Sequence, residues 1–424
     1  EHRSYFYPSM RSSFVFSELI PVNDILSFGN LRLNWANVGS DEAPYQLDYV
    51  FSPATTYFSQ YGLGGTFPFG DIATAFTVPR VIPSANLKPQ NQRSFEIGTN
   101  LKFFKNRAYI DFTYYNVLTS NQIISLDIPL STGYFAKKVN LGAIANKGIE
   151  LAVGVTPVKT RNIDWTVDVN FAKNEQIVEK LVEEKPDLIY NLASGWSGLQ
   201  TQARKGETFG LYGTKWKRNP DGEFIINKNT GLREVETGKF IGNIYPDWTM
   251  GINNSFTFYG VNLGFLVDIR QGGVMFSSTA ASVRASGRAV ETLENRDRIF
   301  IDKGVIDNGD GTYRPNDVPV QSMQDFWGWY SSVSNTEGSV FDASYVKLRE
   351  VRLSYTLPAS WIKGLALQRA ELGLEGRNLW IIKSHVPHID PEANMFGTNS
   401  VAEAIEFNSV PSTKSIGFNA RLTF

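Results

Sequence analysis

The sequence predicts an all-β fold, an antiparallel transmembrane β-barrel with long extracellular loops. Three observations predict it. Eleven amphipathic strand segments run along the 424 residues, their connections alternate between short and long, and aromatic residues collect at strand ends. The short links fall at 21–28, 104–107, 157–163, 258–261 and 357–367. The long ones fall at 39–92, 119–146, 175–247, 271–342 and 380–412. In an outer-membrane barrel the short turns face the periplasm and the long loops face outward, which puts the end of the last strand on the periplasmic side.

The strands show themselves by period-two alternation. Ile110, Phe112 and Tyr114 share one face of 108–116, with Asp111, Thr113 and Tyr115 on the other. In 165–172, Trp165, Val167, Val169 and Phe171 oppose Thr166, Asp168, Asn170 and Ala172. In 261–270, Val261, Leu263, Phe265, Val267 and Ile269 oppose Asn262, Gly264, Leu266, Asp268 and Arg270. Ala370, Leu372 and Leu374 oppose Glu371, Gly373 and Glu375. In the last strand Ile416, Phe418, Ala420, Leu422 and Phe424 oppose Ser415, Gly417, Asn419, Arg421 and Thr423.

A soluble sandwich carries the same alternation with its apolar face inward. Strand lengths of about 10–12 residues suit a tilted membrane span. The one-sided loop lengths and the strand-end aromatics Tyr114, Tyr115, Trp165, Phe171, Trp248, Phe256, Phe258, Tyr355 and Trp380 also favour the barrel. An open sheet of eleven strands leaves two unpaired edges in lipid, so further strands are expected before Glu1 or in another chain. The chain opens without an initiator Met or signal peptide and reads as a mature or truncated piece of something longer.

Composition narrows the chemistry. Aromatics make up 13% of residues, as interface girdles require, and charged residues 20%. A net charge of −1 and the lack of a Lys/Arg run argue against a nucleic-acid partner. With no cysteine there is neither thiol chemistry nor a disulfide scaffold. No stretch approaches the ~18 apolar residues of a spanning helix.

Several segments then resemble SusC/RagA-type TonB-dependent transporters of Bacteroidota. Asn86-Leu87-Lys88-Pro89 leads through Arg93-Ser94-Phe95-Glu96-Ile97-Gly98 in the manner of that family's "NPxLKPEKxxxxEIG" segment. Phe103-Phe104-Lys105-Asn106-Arg107 and Asp111-Phe112-Thr113-Tyr114-Tyr115-Asn116 continue the match. Asn146-Lys147-Gly148-Ile149-Glu150-Leu151 resembles "NKGxEL", and Ile241-Gly242-Asn243-Ile244-Tyr245-Pro246-Asp247-Trp248 resembles "IGNxxPDW". Asp342-Ala343-Ser344-Tyr345-Val346-Lys347-Leu348-Arg349-Glu350-Val351 resembles "DASYLRLKNV", and Gly376-Arg377-Asn378-Leu379-Trp380 resembles "GQNLF". Gln90-Asn91-Gln92 departs from the family's Glu-Lys at a loop-to-strand junction, where no functional consequence is expected.

The resemblance implies that residues 1–424 are the C-terminal half of a barrel of about 22 strands, with the plug domain and TonB box outside this chain. It implies an outer-membrane importer of bulky nutrients, oligosaccharides or peptides, with no catalysis and no cofactor. The implied partners are a SusD-type lipoprotein lid, TonB acting through the missing N-terminal part, the barrel-assembly machinery and outer-membrane lipid. A second reading makes the barrel a structural scaffold in an outer-membrane assembly or secretion complex, which co-purification with something beyond a SusD-type lid would favour. A third is a soluble all-β glycan-binding protein or glycosidase, which predicts extraction without detergent.

Candidate sites are few. The loop aromatics Trp196, Trp216, Phe326, Trp327, Trp329 and Tyr330 are candidate ligand or lid contacts, by stacking on sugars or gripping peptide side chains; the alternative is that they pack the loops. Phe424 is the C-terminal aromatic expected to be read during barrel assembly, or an ordinary girdle residue. His385, His388 and Asp390 have metal-like density, but Pro387 breaks the spacing and no fourth ligand is specified. The runs 307–312 and 219–222 look like calcium loops but lack the closing Glu, and Asn-Gly and Asp-Gly are turn formers. Gly206, Gly272 and Gly273 sit in no phosphate-loop frame. Asp268 and Glu150 are expected to face the lumen from separate strands, and no nucleophile–base pair is recognisable.

Overall fold

In the computed structural model, eleven strands pair antiparallel in strict chain order, and the short strand Val81–Ile82 joins the same sheet in parallel beside Ala136 and Lys137. The structure describes residues 6–21, 23–40, 47–54, 56–57, 65–68, 71, 73–84, 87–181, 189–194, 198–332, 335–364, 366–395 and 402–424. The strands are β1 (Ser9–Phe14), β2 (Leu26–Ser40), β3 (Gln90–Phe103), β4 (Ala108–Asp127), β5 (Ala136–Lys159), β6 (Ile163–Lys180), β7 (Trp248–Phe258), β8 (Val261–Gln271), β9 (Tyr345–Thr356), β10 (Arg369–Ser384) and β11 (Ser415–Thr423). Among the described residues, β1 and β11 each have one strand neighbour, so the sheet has two free edges.

Register turns the alternation into two faces. One row reads Trp165, Phe256, Leu263, Leu353, Leu374 and Phe418 across β6 to β11, each opposite the next. All six are exposed, from 38% for Trp165 to 69% for Phe418. The opposite face runs Asn100, Asp111, Ala152, Asn170, Gly251, Asp268 and Lys347 from β3 to β9. That polar face is knitted internally. Arg32 pairs with Asp111, Asn100 donates to Asp111 at 2.8 Å, and Tyr109 donates to Asp168 at 3.0 Å. Apolar side chains outward and paired polar ones inward are the inversion that a membrane barrel shows and a sandwich does not.

At one end the strands turn tightly. Phe104, Lys105 and Asn106 have φ between 53° and 65°, and Tyr259-Gly260 closes a two-residue turn with φ of 46° and 88°. Two successive positive φ values match the twist of the flanking strands, which is why Gly260 belongs there. Phe104, Phe258, Tyr259 and Trp361 stand exposed at this end as an aromatic belt, and the C-terminus lies here with Phe424 76% exposed.

At the other end the strands overrun a membrane span. β5 has 24 residues and β4 has 20, against the roughly 9–11 that cross the hydrocarbon. The link expected at 119–146 is therefore eight residues, 128–135, capping a projecting hairpin. Its residues continue as strand because their inner face has something to bury: Ile144, with Ile124 and Leu126 against it, enters a hydrophobic core above the barrel. Val178, Leu181, Leu199, Phe209, Leu211, Ile244, Phe276 and Ile405 complete that core. Three long connections thus fold into one body. Residues 181–247 carry a four-stranded sheet, and 272–344 carry α1 (Ser278–Ala285) and α2 (Met323–Tyr330). The final connection, 385–414, pairs Ile405 alongside Phe276. No helix among the described residues is long and apolar enough to cross a membrane.

Candidate functional site

The mouth of the sheet's polar face holds two organised clusters. The first centres on β9. Val267 opposes Leu348 while Leu266 opposes Glu350, so Arg349 is an extra residue in a bulge. Two residues on from Lys347, Arg349 shares its polar face, and the bulge shifts the register only beyond it, where Glu350 comes opposite Leu266. Arg349 grips Asp268 through Nε at 2.7 Å and Nη2 at 2.5 Å. It also takes both oxygens of Glu392 in a bidentate pair. Lys347 bonds Asp390 and, at 2.6 Å, Glu392. The Tyr345 hydroxyl reaches Glu392 at 3.0 Å and Asp268 at 3.2 Å, and Ser412 donates to Asp390. The side chains of Lys347 and Asp390 are 4% and 6% exposed. Burial pushes the Asp390 carboxyl up, but Lys347 and Ser412 outweigh it and hold it below the usual carboxylate range. Burial likewise acts on Glu392, and Arg349 and Lys347 reverse it.

The last connection is thus tied to the barrel wall at Asp390 and Glu392. It has a second anchor. Glu406, fully buried, accepts from Ser277 at 2.7 Å, Thr279 Oγ1 at 2.6 Å and Thr279 N at 3.1 Å, at the start of α1. A carboxylate suits the free N–H groups of a first helical turn. Sequence reading missed Lys347 and Arg349 as functional residues. The available signal was two cations two residues apart on one strand face, with an acidic-proline-acidic run, 390–392, in the following loop.

The second cluster is aromatic. Ser322 caps α2 by accepting from Asp325 N, and Asp325 accepts in return from the Ser322 hydroxyl at 2.6 Å. Helical spacing then stacks Phe326 on Tyr330 at 5.5 Å, and Tyr330 stacks on Trp216 at 5.4 Å. Arg233 lies 3.9 Å over Phe224 and is paired to the buried Asp302. Trp329 donates its indole N–H to the Arg233 carbonyl at 2.9 Å. Trp216 and Phe326 are buried, so their rings build the loop body and present no free stacking face. Trp327, Trp329 and Tyr330 are half-buried. Trp196 lies outside the described residues.

Other sequence candidates separate. His385 pairs with Asp342 at 2.8 Å, His388 with Glu291 at 3.1 Å, and Asp390 with Lys347, three different partners in three directions. Asp307 and Asp310 cap the turn of a small hairpin, 305–315, accepting from Gly309 N and Thr312 N. Asn219 closes its own turn by accepting from Glu223 N and Gly222 N. Gly272 and Gly273 take φ of 79° where the chain leaves β8 against Asp247. Asp268 is spent on Arg349, while Glu150 opposes Thr113 and Ala172.

A sheet apolar outside, ion-paired inside and capped at one end by folded loops defines an outer-membrane β-barrel protein. The chain belongs to the family described as TonB dependent receptor-like, beta-barrel, whose model matches residues 23–379. Among curated relatives, TonB-dependent receptor P3 of Formosa agariphila is 25% identical over 366 residues, covering 80% of this chain and 34% of that protein. TonB-dependent receptor SusC of Bacteroides thetaiotaomicron is 25% identical over 280 residues, covering 62% of this chain and 27% of that one. The solved structure of the RagAB peptide transporter matches in fold with a TM-score of 0.72 at 18% identity, over 99% of this chain and 43% of that one. The chain thus spans well under half the length of these relatives. They are named as receptors and transporters, not as enzymes.

Proposed function

We propose that residues 1–424 are the C-terminal half of the barrel of a TonB-dependent outer-membrane importer for bulky nutrients, oligosaccharides or peptides. The observation that carries this is the eleven-strand sheet with a free edge on each side. A sheet in lipid must close, because an unpaired backbone edge there costs several kcal/mol per group. The rest of the barrel, the plug and the TonB contact would then lie in further sequence, as the length of the relatives supports. The likeness to a peptide transporter and to SusC supports a bulky cargo and a SusD-type lipoprotein lid.

In this reading short turns and C-terminus face the periplasm, lipid covers the apolar rows, and the assembly machinery reads the exposed Phe424. The loop body at the mouth meets the lid, with Trp327, Trp329 and Tyr330 at the contact. The test is detergent extraction of the native protein followed by intact mass and partner analysis. A polypeptide of at least twice 47.4 kDa, co-purifying with a surface lipoprotein, is expected. Trp327→Ala should weaken that co-purification. A 47.4 kDa species folded without a second chain refutes the proposal.

A further inference from the structure

Lys347 and Arg349 belong to the barrel wall, whereas Asp390 and Glu392 arrive on a loop. The cluster holds two cations against three carboxylates, a net charge of one negative. Without the loop, two cations would face Asp268 alone, and the site would turn net positive. With the loop in place Lys347 is more than nine-tenths buried, and leaving such a cation unpaired is costly, so an incoming anion can take the loop's place at this site. The arrangement has receptor form. Arg349 makes the bidentate fork that matches one carboxylate, and Lys347 bridges to a second two residues away. A cavity of about 350 Å³ opens beside it, lined by Lys347, Asp390, Ser412, His388, Trp380 and Lys414.

We propose that Lys347 and Arg349 form a binding site for acidic peptide segments with two carboxylates spaced as in Asp-x-Glu, and that Asp390-Pro391-Glu392 occupies it as an intramolecular stand-in. The occupant is itself a peptide, which favours a peptide over an acidic glycan. The inference rests on the importer reading, in which cargo passes this face of the lumen. Cargo binding would free the loop between β10 and β11 from the wall.

The test uses the full-length protein in detergent and N-acetyl-Asp-Pro-Glu-amide as probe. Asp390→Asn/Glu392→Gln should bind the peptide about tenfold or more tightly than wild type, since the charged stand-in is weakened. Adding Lys347→Gln and Arg349→Gln should abolish that binding. Equal binding by wild type and the double variant overturns the proposal, as does no binding by a double variant that melts like wild type. So does binding of a galacturonate dimer in place of the peptide. If the double variant misfolds, the wild-type loop reports instead. A spin label on Met395→Cys, with no other cysteine in residues 1–424 and any outside them replaced by Ser, should gain mobility in excess peptide, and unchanged mobility overturns the inference. TonB-dependent uptake that persists while these binding tests fail would leave the importer reading standing and remove this one alone.

Discussion

Replacing Arg233 by Ala tests whether the aromatic loop body stands on one buried ion pair. Arg233 meets Asp302 through Nε–Oδ2 at 2.6 Å and Nη2–Oδ1 at 3.1 Å, with the two side chains 14% and 6% exposed. Removing the cation leaves a buried carboxylate whose remaining side-chain bond is from the Lys303 N–H at 2.9 Å. Breaking a buried pair from one side costs about 3–5 kcal/mol. The lost cation–π contact with Phe224 falls within the same figure. Three kcal/mol is a factor of about 150 in a local opening equilibrium. The readout is hydrogen exchange at the Ile226 and Val305 amides, which bond Val305 O and Phe224 O at 2.7 and 2.8 Å beside the pair. They should exchange about a hundredfold faster, while β8 and β9 amides stay unchanged. Adding Asp302→Ala should restore much of the protection, because the orphaned charge is gone. Less than threefold acceleration in Arg233→Ala, or no recovery in the double variant, would refute the reasoning.

Gly338→Ala should destabilise the same body by roughly 1–3 kcal/mol, since a Cβ there would sit 1.9 Å from the Tyr330 carbonyl oxygen; an unchanged near-ultraviolet tryptophan signal and melt would contradict this. Acid should release the last loop. Burial pushes Glu291 up, but Arg284 and His388 bring it from 4.5 down to about 2, and Asp390 and Glu392 are also depressed. Folded values below unfolded ones mean that this stabilisation is complete above about pH 4.5 and is lost as pH falls towards 2. Protease nicking within 385–395 should therefore rise across that window, and a flat profile would count against it. Deleting Phe424, which lies beyond the last paired residue Thr423, should lower the yield of heat-modifiable folded barrel several-fold; an unchanged yield would make it an ordinary girdle residue.

Much of the fold was legible because period-two alternation is a local property. Trp165 to Ala172 or Ile416 to Phe424 declare their two faces from side chains alone. The eleven strands, the short turns and the C-terminus at the short-turn end follow from that pattern. Alternation does not say which face meets lipid, nor where a strand stops when its upper inner face finds another partner. Hence 119–146 read as a loop, although Ile144 and Leu126 extend β4 and β5 into the upper core.

The sites were less legible, because they join residues far apart in the chain. Phe326 to Tyr330 stood out as aromatic, yet only packing against Trp216 and Arg233 shows that Trp216 and Phe326 are enclosed. Lys347 and Asp390 are 43 residues apart, and Ser277 and Glu406 are 129 apart. By itself the sequence determined the amphipathic strands and the tight turns between them, since amphipathic period and turn chemistry act between neighbours. The bulge at Arg349, the burial of Lys347 and the tether at 390–392 were decided only by tertiary structure. A charge is buried there because its partners come from another loop, and no local pattern encodes that meeting.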